Sequence, residues 1–125
     1  MALTPKLLVL LAGGLLLAGC TPDFARVELT PITSPPLDVT VSAAQVEIPV
    51  GIAVAVNVLG YDEDDDPVGN IRITPPASIT AGVIETAEPE MFILYGQSHG
   101  TGSLSFTSTE VSGTVNVPVS IVPQQ

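Results

Sequence analysis

From Asp38 onward, apolar and polar residues alternate with a period of two, and no segment of useful length repeats at the helical period. The clearest run is Ile52-Ala53-Val54-Ala55-Val56-Asn57-Val58, in which Ile52, Val54, Val56 and Val58 fall on one face of an extended chain. Gly102 to Thr107 alternates in the same way and places Leu104 and Phe106 inward. Val115 to Ile121 puts Val115, Val117, Val119 and Ile121 on one face and Pro118 on the other. A proline there predicts an edge strand with its missing donor turned outward. Shorter strands are predicted over Leu37 to Val41, over Val46 to Val50 with Pro49 marking an edge or kink, and over Asn70 to Thr74, closed by Pro75-Pro76. Met91 to Tyr95 is apolar throughout, as expected of a central strand. About seven short strands with turns between them predict an all-β fold, a β-sandwich.

Before Asp38 the pattern changes twice. Met1 to Lys6 carries one lysine and the amino terminus, and Leu7 to Gly19 is an apolar run of 13 residues leading through small residues to Cys20. A positive start, an apolar middle and a small-residue end make an export signal. A membrane-spanning helix needs about 20 apolar residues, so this run is too short to remain as a span. Thr21 to Leu37 then carries Pro22, Pro31, Pro35 and Pro36, which predicts an extended, semi-rigid tether. Phe24 to Leu29 is a candidate short strand against the domain. The predicted organisation is a cleaved leader over 1–19, Cys20 and tether over 20–37, and a sandwich over 38–125.

Leu17-Ala18-Gly19-Cys20 resembles the lipobox of bacterial lipoproteins, and it sits where that motif belongs. The resemblance implies that the Cys20 sulfur takes a diacylglyceryl group as a thioether. A dedicated peptidase then cuts before Cys20, and the freed amine receives an N-acyl lipid. Each buried CH₂ adds about 0.8 kcal/mol, so two or three acyl chains hold the protein at a membrane where one would not. In lipoproteins of enterobacterial type, Asp after the cysteine favours the inner membrane. Thr21 stands there in this chain. The expectation is therefore the outer membrane in a two-membrane host, and the outer face of the plasma membrane otherwise.

The span from Asp38 to Val122 resembles bacterial Ig-like domains, group two in particular. The resemblance is carried by Val46-Glu47-Ile48-Pro49-Val50-Gly51, by the glycine-rich segment Gly96 to Ser108, and by the valine-rich close Val115-Asn116-Val117-Pro118-Val119. It implies an Ig-like sandwich that engages proteins or glycans. One departure stands out: the family often carries Trp in its third strand, whereas this chain has no Trp and places Ile71 or Ile73 in that region.

Charge narrows the partners. All 13 acidic residues follow Cys20, against only Arg26 and Arg72. Nucleic-acid binding needs clustered cations to displace counterions, so nucleic acid is excluded. An acidic surface also repels anionic headgroups, which leaves a covalent lipid as the means of membrane attachment. A single cysteine excludes an internal disulfide, so sheet packing must supply the stability.

Two constellations invite chemistry. In Tyr61-Asp62-Glu63-Asp64-Asp65-Asp66, the alternate carboxylates Asp62, Asp64 and Asp66 are calcium candidates, since oxygen ligands can converge on one hard cation. The spacing fails as an EF-hand loop, because Pro67 replaces the turn glycine and Ile73 the bidentate Glu. The plainer reading is a solvated loop between strands whose charge prevents edge pairing. Gly96-Gln97-Ser98-His99-Gly100 matches the G-x-S-x-G nucleophile elbow, which works only between a strand and a helix. A strand pattern follows here, so a glycine-rich turn with an exposed His99 is expected. Glu85, Glu88 and Glu90 flank Pro89 in an expected loop and suggest no catalytic pair. No enzyme, cofactor or committed metal is expected.

The leading expectation is a lipid-anchored envelope module with a structural, adhesive or protein- and glycan-binding role. The alternative is an accessory lipoprotein subunit of a larger envelope assembly, of secretion or pilus type.

Overall fold

The computed structural model describes residues 21–78 and 80–124, so the leader and Cys20 lie outside the described residues. Ten strands appear among the described residues: β1 (Phe24–Pro31), β2 (Thr40–Val41), β3 (Val46–Pro49), β4 (Ala53–Asp62), β5 (Pro67–Val68), β6 (Ile71–Thr74), β7 (Ala81–Glu85), β8 (Met91–Gly96), β9 (Gly100–Ser108) and β10 (Val115–Val122). They form two five-stranded sheets. The first has the order β1-β4-β8-β7, with β5 also paired to β4; the second has the order β2-β3-β10-β9-β6. Every pairing is antiparallel except β3 with β10, which is parallel. No helix among the described residues is long and apolar enough to cross a membrane.

The fold is thus an all-β sandwich, and period-two burial builds it. In β4, Val54, Val56 and Val58 are buried on one face, and in β9 Leu104 and Phe106 are buried. Val46, Ile48, Val117, Val119 and Ile121 join them in one apolar core shared by both sheets. Phe106 has no exposed surface, so Phe106→Ala would open a cavity and cost about 3–5 kcal/mol. Ile71 and Ile73, where a Trp was wanting, are both buried on β6.

The segment expected as a tether is in large part a strand. β1 pairs with β4 from Phe24↔Asp62 to Pro31↔Val56, and Phe24, Val27 and Leu29 are buried. The sandwich therefore begins at Phe24 and not at residue 38. The register shifts between Phe24 and Arg26, a bulge that leaves Ala25 unpaired in the ladder. That extra residue breaks the alternation, so the buried positions fall at 24, 27 and 29; the candidate strand over Phe24 to Leu29 is present and extends to Pro31.

β10 also differs from expectation. It lies between β3 and β9 and is an interior strand, not an edge. Pro118 is nonetheless exposed and pairs with Ser103 of β9, while the parallel ladder to β3 begins one residue later at Val119↔Val46. The proline is accommodated because only one flank of β10 is paired at that level. The count exceeds seven by three strands: β1, and β5 and β7, whose signals are weak because β5 has two residues and β7 (Ala-Gly-Val-Ile-Glu) opens with two small ones.

Pro49 marks the expected kink, and the kink is where the chain changes sheet. The Val50 amide donates to the Val122 carbonyl at 2.9 Å, in the second sheet, and the Gly51 amide to Gly96 O at 2.9 Å, in the first. Gly51 has φ +83°, the left-handed region that glycine enters at no steric cost.

Candidate functional site

The ten residues of β4 carry the chain to one end of the sandwich, where Asp62 closes the strand and a tight turn leads into β5. Asp62 is buried, at 7% exposure. Its Oδ1 accepts the amide hydrogens of Asp64 at 2.8 Å and Asp66 at 3.0 Å. Its main chain closes the same turn, with the Asp62 amide donating to Asp66 O and the Asp65 amide donating to Asp62 O, each at 3.0 Å. Asp65 takes φ +64°, a conformation that Asp tolerates better than most residues. The Asp62 carboxylate thus holds the turn by satisfying backbone donors, while Glu63 to Asp66 are exposed in the loop between β4 and β5.

The structure brings the three calcium candidates together. One carboxylate oxygen from each of Asp62, Asp64 and Asp66 lies within 4.8 Å of the others, and Asp64 and Asp66 are exposed. Oxygens at that spacing suit a hard cation. The turn, however, is already closed by its own hydrogen bonds.

Residues outside the candidate set complete this end. The Asp23 amide donates to Glu63 Oε1 at 3.1 Å, and the Glu63 amide donates back to Asp23 O at 3.0 Å. The Phe24 amide donates to Ser112 O at 2.8 Å, tying β1 to the loop between β9 and β10. Glu110 in that loop accepts from the Gly69 amide at 2.8 Å and from Asn70 Nδ2 at 3.2 Å. Arg26 on β1 lies 4.0 Å from the centre of the Tyr61 ring and donates to Glu28 Oε2 at 3.0 Å and Asp65 Oδ1 at 3.4 Å. Its pKa is raised above the ordinary value, chiefly by the hydrogen bond to Glu28, with desolvation opposing it and Asp65 adding to the rise. The guanidinium charge is therefore permanent. Sequence reading missed Asp23, Arg26, Glu63 and Glu110 as parts of one end, because the first three meet only when β1 joins the sheet and Glu110 meets Gly69 and Asn70 only across the loops.

The other candidates are dispersed. Gly96-Gln97-Ser98-His99-Gly100 is the turn that carries the chain from β8 in one sheet to β9 in the other. The Gln97 and Ser98 amides donate to Thr80 O at 2.8 and 3.1 Å, and His99 is exposed. A strand follows Ser98, so the strand-turn-helix of a nucleophile elbow is not what this segment forms. Glu85 ends β7 and makes an exposed ion pair with Arg72 at 3.7 Å. Glu88 lies in the turn from β7 to β8, where the Thr86 hydroxyl bonds to its backbone, and Glu90 ends that turn. A shallow cleft of about 240 Å³ beside them is lined by Arg72, Glu85, Met91 and Phe92 among others.

No protein-family model and no curated protein matches the sequence. Solved structures of the S-layer protein SbsC do resemble the fold. A structure of its domains 4 and 5 is 20% identical at a TM-score of 0.52, covering 74% of this chain and 54% of that one. A structure of domains 5–6 is 18% identical at a TM-score of 0.56, covering 84% and 47%. A structure of domains 1–6 is 17% identical at a TM-score of 0.57, covering 84% and 14%. This chain spans about half or less of each of these chains. At such identities the likeness establishes the sandwich fold alone.

Proposed function

We propose that this chain is the precursor of a lipid-anchored cell-envelope module. Its Ig-like sandwich serves structure or adhesion through protein or glycan contacts, without catalysis. The observation that carries the reading is the likeness of the whole two-sheet architecture to domains of an S-layer protein. An architecture used in a surface layer agrees with a leader that ends in Leu17-Ala18-Gly19-Cys20. The anchor is the acylated Cys20, and in a two-membrane host the destination is the outer membrane. The acidic surface gives no electrostatic hold on anionic lipid, so attachment rests on the acyl chains.

The test is to express the full chain in a bacterial host, fractionate the membranes and weigh the intact product. Wild type should be found with membranes, begin at Cys20 and carry the mass of a diacylglyceryl group plus one acyl chain. Cys20→Ser should carry no acyl mass. A wild-type product with a free thiol, or cut elsewhere, overturns the anchoring. In the native host, unchanged adhesion and envelope integrity after gene deletion would overturn the structural role.

A further inference from the structure

We propose that the acidic end of the sandwich, built by Asp23, residues 62–66 and Glu110, is the face held against the bilayer, and that the opposite, less acidic end is the face presented outward. The inference rests on the lipid anchoring of Cys20 proposed above, and it specifies the geometry which that anchor imposes.

The argument is one of chain length. Only Thr21 and Pro22 separate Cys20 from Asp23. Asp23 is already fixed, since its amide and carbonyl both bond to Glu63, and the next amide bonds to Ser112. Successive Cα atoms are about 3.8 Å apart, so three steps place Cys20 Cα within about 11 Å of Asp23 Cα. An acylated cysteine lies at headgroup level, because its sulfur carries the glycerol of the lipid. The end of the sandwich at Asp23 is therefore confined to the bilayer surface. A flexible tether to residue 38 would have allowed any orientation; a strand that starts at Phe24 does not.

The topology fixes what shares that end and what does not. β4 runs antiparallel to β1 and arrives there at Asp62, and the loop from β9 to β10 closes it through Ser112. β8 and β10 run the other way and finish at the far end, with Gly96, Val50 and Val122 linked by hydrogen bonds across the sheet-change. Ten residues of β4 rise about 3.3 Å each, so the two ends stand about 30 Å apart. Charge divides along the same axis. Seven of the 13 acidic residues lie at the Asp23 end. At the far end, residues 50–52, 75–78, 97–99 and 123–124 include none, and Asp38 and Glu47 lie beside Pro49 and Val122. Covalent reach, not attraction, puts the acidic end at the membrane and turns the far end away from it.

The experiment uses the full-length acylated protein. Because the Cys20 sulfur is consumed in the thioether, one added cysteine is the only reactive thiol. Asp64→Cys and His99→Cys, both at exposed positions, are labelled with a fluorophore in vesicles containing lipids spin-labelled at the headgroup. A label at 64 should be quenched at least about threefold more than one at 99, given the separation of about 30 Å. A third variant with a long Gly-Ser insert between Pro22 and Asp23 should lose the difference. Equal quenching at 64 and 99 in a product of acylated mass overturns the orientation and leaves the anchor standing. A product without acyl mass overturns the anchor, and the orientation with it.

Discussion

Asp23 and Glu63, 40 residues apart in sequence, clasp each other by two hydrogen bonds: the Asp23 amide to Glu63 Oε1, and the Glu63 amide to Asp23 O. The clasp sets the first described residues onto the end of β4, and the buried side chains of β1 follow directly. What the proline content suggested was a spacer is a structural edge of the domain.

Val27 tests that assignment most directly, because it sits in the middle of β1 with 2% of its surface exposed. In a chain beginning at residue 20 with Cys20→Ser, Val27→Ala should lower unfolding stability by about 2 kcal/mol, through lost burial and the cavity left behind. A residue in a solvated spacer would change stability by no more than about 0.5 kcal/mol. Urea denaturation followed by circular dichroism distinguishes the two.

The parts of the fold legible in the sequence are those where one strand keeps one face to the core over its whole length. β4 and β9 have unbroken alternation, and their inward residues are the buried ones. β1 carries opposing signals: Phe24 to Leu29 reads as a short strand, while the prolines around it read as linker and the bulge at Ala25 moves the buried positions out of step. β10 was read as an edge because a proline usually needs one. Nothing local in the sequence reveals that β3 pairs only with the half of β10 beyond Pro118. The candidate site divides in the same way. Alternate spacing in 62–66 indicated that three carboxylates could meet, and they do. Asp62 accepts from amides only two and four residues on, but its burial and the contributions of Asp23 and Glu110, which meet partners 40 and 41 residues away, depend on the tertiary fold.

Asp62 should matter for stability through its acceptor oxygen. Asp62→Ala leaves the Asp64 and Asp66 amides without their partner beside a buried position, at a cost of about 1–3 kcal/mol. Asp62→Asn keeps a carbonyl oxygen able to accept both hydrogen bonds and should cost less than half as much. Denaturation midpoints of the two variants provide the comparison, and equal losses would assign the effect to charge instead.

Gly96 is the point where the two sheets touch through the backbone. A Cβ built there would lie 2.5 Å from the Pro49 carbonyl oxygen and 3.0 Å from Ile121 Cγ2. The obstruction is main chain and cannot rotate away, so Gly96→Ala must push the β3–β4 crossover outward. A loss of about 1–3 kcal/mol is expected, the range for overpacking a tight site. Hydrogen exchange should report the damage locally, with faster exchange of the Val50 and Gly51 amides, whose partners are Val122 and Gly96.

The crowding of carboxylates at the Asp62 end predicts the response to salt. Residues 62–66 are all acidic, and of the two arginines after Cys20 only Arg26 reaches them, through Asp65. Like charges this close oppose the folded state, and salt screens them over a Debye length that falls from about 30 Å at 0.01 M to about 8 Å at 0.15 M. Raising sodium chloride across that range should therefore stabilise the domain, and a gain of about 1 kcal/mol would appear as a rise of about 4–8 °C in Tm. Because hydrogen bonds from the Asp64 and Asp66 amides to the Asp62 carboxylate already close the turn, calcium at matched ionic strength should raise Tm no further than sodium does, and a chelator should leave it unchanged. A calcium-specific rise that saturates at millimolar concentration and disappears in Asp64→Asn would show instead that Asp62, Asp64 and Asp66 hold an ion.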